Sequence, residues 1–237
     1  MNDNSTGAAF APPLIDASAV CRPGRITLEL CGRSWTLSRP SDLESLWEAM
    51  TDDAFAADER LPYWVELWPS SLALALWLAA NKERISGRVC LDLGCGIGFT
   101  AIIGSWLGAR VIGMDYEPEA LVYARANAQA NAAPQPLWLA MDWRAPALAP
   151  RSVDRIWGGD IMYENRFVEP VFTFLDHALA PDGVAWMAEP GRGAYDHFMR
   201  ALLRRGWRSR RVADRKVASL QVQEVPVSVK LWELTRS

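Results

Sequence analysis

Cysteine is scarce: Cys21, Cys31, Cys90 and Cys95 are the only four in 237 residues, and no two form a C-x-x-C pair. Neither a disulfide scaffold nor a zinc framework is expected, and a reduced, cytoplasmic setting is. Histidine is scarcer still. His177 and His197 have no metal-ligand partners at suitable spacing, so no metal is expected. Charge of one sign is also missing: 25 Lys and Arg stand against 28 Asp and Glu, a formal net charge of −3. Such a balance does not announce nucleic acid as a partner. The one basic cluster, Arg200, Arg204, Arg205, Arg208, Arg210 and Arg211, reads as a solvated helix end and edge strand, the alternative being a contact with an acidic partner or RNA. No apolar run reaches bilayer length, the longest lying at residues 71–80, and a membrane span is not expected. Residues 1–20 lack the basic region and apolar core of a secretory signal.

Half of the residues are apolar, enough for one large α/β domain with a substantial core. The pattern is organised around residues 89–115, VCLDLGCGIGFTAIIGSWLGARVIGMD. This stretch reads as a buried strand over 88–93, a turn at Gly94, Gly96 and Gly98, a short helix over 99–107 and a second strand over 110–114 that ends in Asp115. That is half of a nucleotide-binding βαβ unit. Glycine suits the turn because the chain must leave the strand sharply and bring backbone N–H groups close to a ligand. Asp115 falls where a carboxylate can accept both hydroxyls of a ribose. A dinucleotide fingerprint, G-x-G-x-x-G, answers much of this description. Here, however, the third glycine comes one residue early, and Asp92 stands two residues before the first. An anion at that place repels a pyrophosphate and attracts a ligand carrying sulfonium and ammonium charges.

The spacing Asp92-x-Gly94-x-Gly96-x-Gly98 resembles motif I of the class I, seven-β-strand methyltransferases that bind S-adenosylmethionine. The resemblance implies that the loop of Gly94, Cys95, Gly96 and Gly98 borders the methionine part of the cofactor, and that Asp115, with Tyr116 beside it, holds the ribose. Upstream, Trp64, Trp68 and Pro69 precede an apolar helix that starts near Ser70 or Ser71. They resemble the W-P segment of the protein-lysine methyltransferases of this class, which makes Trp68 and Glu66 candidate pocket residues. The alternative is that these tryptophans fill core. Downstream, a strand over 136–141 ends in Asp142 and Trp143. In the resembled family a polar residue there receives the adenine amino group, a role for Asp142, while Trp143 either stacks on the ring or packs.

A fourth strand, over 152–159, closes on Gly159 and is followed by Asp160-x-x-Tyr163. In open α/β sheets ligands sit at that edge. The pair is similar to the D-x-x-Y signature of the same lysine methyltransferases. An amine approaching a sulfonium needs an acceptor and an aromatic face to fix it while its lone pair points at the methyl carbon. Asp160 would orient the amine rather than act as a strong base, and Tyr163 would wall its channel. The alternative makes Asp160 a helix N-cap and Tyr163 core.

Elsewhere the chain reads as a flexible arm over 1–23, an accessory hairpin over 25–38 and a helix over 41–51 within a 24–60 segment, and a cofactor-binding domain over 61–237. The hairpin either covers a cleft or packs an edge, and packing is preferred. Helices over 117–133, 166–179 and 194–205 alternate with strands over 184–188, 208–212 and 226–234, with a turn at Pro181, Asp182 and Gly183. This alternation predicts a doubly wound, mostly parallel sheet. The resemblance, over 61–234, implies a Rossmann-like sheet of seven strands with the last antiparallel. It also implies an S-adenosylmethionine-dependent N-methyltransferase acting on a protein lysine or, alternatively, a small-molecule amine. A non-catalytic binding module and a dinucleotide enzyme are the remaining alternatives.

Overall fold

The computed structural model describes residues 14–15, 19–42, 62–218 and 226–237. The chain gives β1 (Leu14–Ile15), β2 (Ala19–Arg22), β3 (Arg25–Leu30), β4 (Arg33–Ser38), α1 (Pro69–Ala80), β5 (Val89–Leu93), α2 (Phe99–Trp106), β6 (Arg110–Asp115) and α3 (Pro118–Ala130). It continues with β7 (Leu137–Ala140), β8 (Val153–Gly159), α4 (Val168–Ala178), β9 (Leu179–Glu189), α5 (Gly193–Arg204), β10 (Trp207–Val217) and β11 (Val227–Arg236). The helix expected over 41–51 lies almost wholly outside the described residues.

The main sheet runs β1-β10-β11-β9-β8-β5-β6-β7. Its strands are parallel except β11, which is antiparallel to both β10 and β9. The seven-strand, doubly wound expectation is met, with the two-residue β1 added at one edge. Central strands of such a sheet are covered on both faces and therefore read as continuous apolar runs. In β5, Cys90 joins the core formed with α1 and α2, while its neighbour Leu91 joins the core formed with α4 and α5. Helix α1 has little polar face, because one side packs on α2 and another on the sheet; Leu72, Leu74 and Leu78 are all fully buried. Proline at its first turn needs no hydrogen-bonded N–H there.

Two expectations change. Residues 14–15 and 19–22, placed in the arm, are paired: β1 lies parallel on β10, and β2 extends the hairpin to three strands. The edge of a sheet offers unpaired N–H and C=O groups, and these short segments satisfy some of them. The turn expected at Pro181, Asp182 and Gly183 is a bulge inside β9. Val153 faces Leu179 while Arg155 already faces Val184, and Pro181 has no N–H to give to a ladder.

The hairpin turns at Cys31 and Gly32, with φ of 56° and 71°, the left-handed pair that a two-residue turn between twisted strands requires. It packs, as preferred. Asn127 Oδ1 accepts from Ser38 N–H at 2.7 Å, and Asn131 Oδ1 accepts from Thr36 N–H at 2.9 Å. The two amides donate back to the Ser38 and Thr36 carbonyls at 3.1 and 2.7 Å. Four residues of α3 rise about 6 Å and two residues of a strand about 6.6 Å, so two asparagines one helical turn apart behave as an extra strand on β4. Trp35, fully buried, meets Phe99 and Trp106 of α2 edge-on beneath the ribbon.

Candidate active site

The carboxyl ends of β5, β6, β7 and β8 open into one cavity of about 510 Å³. This is the crevice of an open parallel sheet where the connections from β5 and β8 leave in opposite directions. Gly94, Cys95 and Gly96 line it after β5, Asp115 and Tyr116 at the end of β6, Asp142 and Trp143 after β7, and Gly159, Asp160 and Tyr163 at and beyond the end of β8. Trp68 and Glu66 close it from the segment before α1.

The glycine loop is built around Asp115. One carboxylate oxygen accepts the Gly96 N–H at 2.7 Å and the other the Glu117 N–H at 3.0 Å, so the end of β6 holds the loop after β5. Gly96 has φ 52°, and a Cβ there would lie 2.9 Å from the Trp64 carbonyl oxygen. Burial pushes the Asp115 carboxyl up to about 6, against the pull of the Glu117 and Gly96 N–H groups.

Two residues expected at the cofactor stand elsewhere. Asp92, 1% exposed, does not line the cavity; it accepts the Thr100 hydroxyl at 2.5 Å beneath the loop. Burial raises its carboxyl to about 7, with Thr100 opposing that shift. The side chains of successive strand residues alternate between faces, and Asp92 falls on the face turned toward α2. Gly98 also lies off the cavity. It serves close packing, since at φ 88° a Cβ would come within 2.6 Å of Ala124 Cβ and 2.9 Å of the Trp138 ring.

The far end of the cavity is aromatic. The Tyr163 ring centroid lies 5.1 Å from Tyr63 and 4.9 Å from Phe167, which in turn meets Trp143 at 5.4 Å. Trp143 thus lines the cavity and packs at once. Trp68 is half-buried, donates its indole N–H to the Tyr63 carbonyl at 3.0 Å and faces the cavity, so it is more than core filling. Burial, reinforced by Glu164 and Tyr63, drives the Tyr163 hydroxyl far above its ordinary range. It stays protonated and acts as a wall rather than a base. Asp142 accepts Arg144 Nε at 2.8 Å and the Arg144 N–H at 2.8 Å, which orients its carboxylate at the rim.

Asp160 adopts a left-handed backbone at φ 56° and is buried. It is not a helix N-cap: the following helical turn starts at Asn165, with Glu164 before it. Strain in a non-glycine residue at such an edge is sustained only by its surroundings. Its N–H donates to the Ala188 carbonyl at 2.9 Å, and its carboxylate accepts two bonds from Arg192, Nε to Oδ1 at 2.6 Å and Nη2 to Oδ2 at 2.7 Å. Burial raises the Asp160 carboxyl, Arg192 lowers it, and Glu189 adds to the upward push. Arg192, Tyr63 and Phe167 were not anticipated. Arg192 follows the carboxyl end of β9, so the rule that pointed to Asp160 also covers it. Tyr63 and Phe167 come from 3-10 turns whose approach to the cavity no spacing encodes.

Residues 90–183 match a family described as a methyltransferase domain. An electron transfer flavoprotein beta subunit lysine methyltransferase from Danio rerio is 32% identical over 148 residues, covering 61% of this chain and 56% of that protein. A ribosomal protein L11 methyltransferase from Actinobacillus succinogenes is 41% identical over 91 residues, 38% of this chain and 30% of that one. The chain spans about half the length, or less, of these relatives. Among solved structures, magnesium protoporphyrin IX methyltransferase from Synechocystis, with S-adenosylmethionine bound, superposes with a TM-score of 0.57 at 18% identity, over 81% of this chain and 90% of that one. At that identity the likeness is one of fold.

Proposed function

We propose that the chain, whose residues 90–183 match a methyltransferase domain and whose sheet has the class I, seven-strand order, is an S-adenosylmethionine-dependent N-methyltransferase acting on a lysine side chain of a protein. The observation that carries this reading is the convergence, in one cavity, of the glycine loop, Asp115, Asp142 and the Asp160–Tyr163 pair. Residues 61–237 form the cofactor-binding unit, with 24–60 as an accessory segment. A cytoplasmic setting belongs to the same proposal and rests on the scarcity and spacing of cysteine in the sequence.

The cavity suits the cofactor. Its volume lies in the range of about 300–1,000 Å³ usual for such sites, and carboxylates of Asp115 and Asp142 line it as acceptors for ribose hydroxyls and an adenine amino group. Asp115 and Tyr116 would hold the ribose, Asp142 and Trp143 the adenine, and Gly94, Cys95, Gly96 and Gly159 the methionine part, with Trp68 across from them. When bound, S-adenosylmethionine supplies a methyl carbon that accepts a nitrogen lone pair in line while the C–S electron pair leaves with sulfur. The chain contributes position and dryness. Tyr163, Tyr63 and Phe167 form a narrow apolar approach suited to an aliphatic side chain, and Asp160 accepts an N–H of the incoming amine.

The test is transfer of labelled methyl from S-adenosylmethionine to electron transfer flavoprotein beta subunit and to ribosomal protein L11, the substrates named for the relatives, followed by mapping of the labelled residue. Label on a lysine ε-nitrogen of either supports the reading. Label on a guanidinium, on small amines alone, or on neither protein overturns it.

A further inference from the structure

We infer that Arg192 is a positioning residue for the transfer: it cancels the charge of Asp160, so that the acceptor nitrogen is oriented by a carboxylate without being held as an ammonium ion. The inference rests on the N-methyltransferase reading and adds a residue to it.

A carboxylate beside a primary amine does two opposed things. It accepts an N–H and so aims the lone pair, and it stabilises the protonated amine, which has no lone pair to give. Lysine ordinarily loses its proton near 10.4, and an unpaired buried carboxylate would drive that value higher. The Arg192 fork removes the second effect and keeps the first. Two ionised oxygens offer about four acceptor positions. Arg192 occupies one on each, at 2.6 and 2.7 Å, which leaves further positions for an incoming N–H. Both residues line the cavity; the Asp160 side chain is only 4% exposed and the Arg192 side chain 36%, so the carboxylate is shielded while water reaches the guanidinium from one side.

The setting keeps the pair net neutral. Glu189, at the end of β9, is held by the Gly191 N–H, by Trp232 Nε1 at 3.2 Å and by Lys230 at 3.8 Å. Glu66, ahead of α1, is paired with Arg39 at 2.5 Å. Tyr163, which stays protonated, and the Tyr63 ring stand near the guanidinium, and its centre lies 5.7 Å from the Trp68 ring, an aromatic face that favours a cation. A brace serving only to hold the fold would not need to lie in the cavity wall.

The experiment measures turnover against pH at saturating S-adenosylmethionine, with whichever of the two protein acceptors takes label from the wild type, and cofactor affinity by calorimetry alongside. Arg192→Gln should move the midpoint of the rising limb upward by about one to three units. At pH 7.5 it should lower turnover at least about tenfold, with recovery toward pH 10 and cofactor Kd within about twofold. Arg192→Lys keeps the charge and should keep the wild-type midpoint. The double variant Asp160→Asn, Arg192→Gln is again neutral, and its midpoint should return toward the wild-type value even if its rate is low. A uniform loss in Arg192→Gln with an unmoved midpoint, or no recovery at pH 10 in a protein that still binds cofactor, would show a structural brace and overturn the inference. A wild type that labels neither acceptor fails at the earlier step, overturns the N-methyltransferase reading and takes this inference with it.

Discussion

Asp115 at the end of β6 accepts the backbone N–H of Gly96 at 2.7 Å, so the carboxylate assigned to the cofactor's ribose is also the group that shapes the loop on which the cofactor would lie. Its second oxygen takes the Glu117 N–H at 3.0 Å. Removing the side chain therefore frees two N–H groups and deletes an acceptor together. Asp115→Ala is expected to weaken S-adenosylmethionine binding by about 3 kcal/mol, roughly a hundredfold in Kd. Titration calorimetry checks this, and an unchanged affinity removes Asp115 from the site.

Asp92 makes a prediction about stability and pH. Its carboxyl is raised from 3.8 to about 7, chiefly by burial. The folded state therefore binds this proton more tightly than the unfolded chain. The resulting stabilisation is full below about pH 4 and is lost as pH rises through about 7. Asp92→Asn keeps an oxygen for the Thr100 hydroxyl and cannot ionise. The melting temperature of the wild type relative to this variant should fall between pH 5 and pH 8. A difference that stays constant over that range would mean that Asp92 is ionised throughout.

Gly98 sits at φ 88° with Ala124 Cβ 2.6 Å from the place a Cβ would take. Gly98→Ala meets both backbone strain and a collision between α2, α3 and β7. A loss of at least about 2 kcal/mol is expected, a fall of at least about 4 °C in melting temperature. A variant as stable as the wild type by calorimetric scanning would contradict the packing described.

Tyr163 separates the wall from the hydroxyl. Its ring stands between Tyr63 and Phe167 at 5.1 and 4.9 Å, and its hydroxyl does not ionise in any ordinary range. Tyr163→Phe should therefore keep most of the turnover. Tyr163→Ala should lower kcat/KM for the acceptor by roughly tenfold or more through loss of positioning, with cofactor Kd little changed. Equal losses in both variants would assign the effect to the hydroxyl instead.

The sequence by itself determined the sheet and where its ligand edge lies. Continuous apolar strands, helices between them and left-handed glycines at Gly94, Gly96 and Gly98 are local signals, carried by period and backbone freedom. So are Asp115, Asp142 and Asp160, because each ends a strand or follows one within two residues, and the carboxyl end of that strand must face the crevice. Tertiary structure decided what these groups touch. Asp92 belongs to the same motif as Gly94, yet the alternation of the strand turns it to Thr100 and away from the cavity. Asp160 and Arg192 are 32 residues apart, and only the pairing of β8 with β9 brings their loops together. Asn127 and Asn131 read as ordinary helix residues until the rise of α3 meets that of β4. Contacts between distant segments depend on the packing of whole elements, and that distance in three dimensions is written in no single stretch of chain.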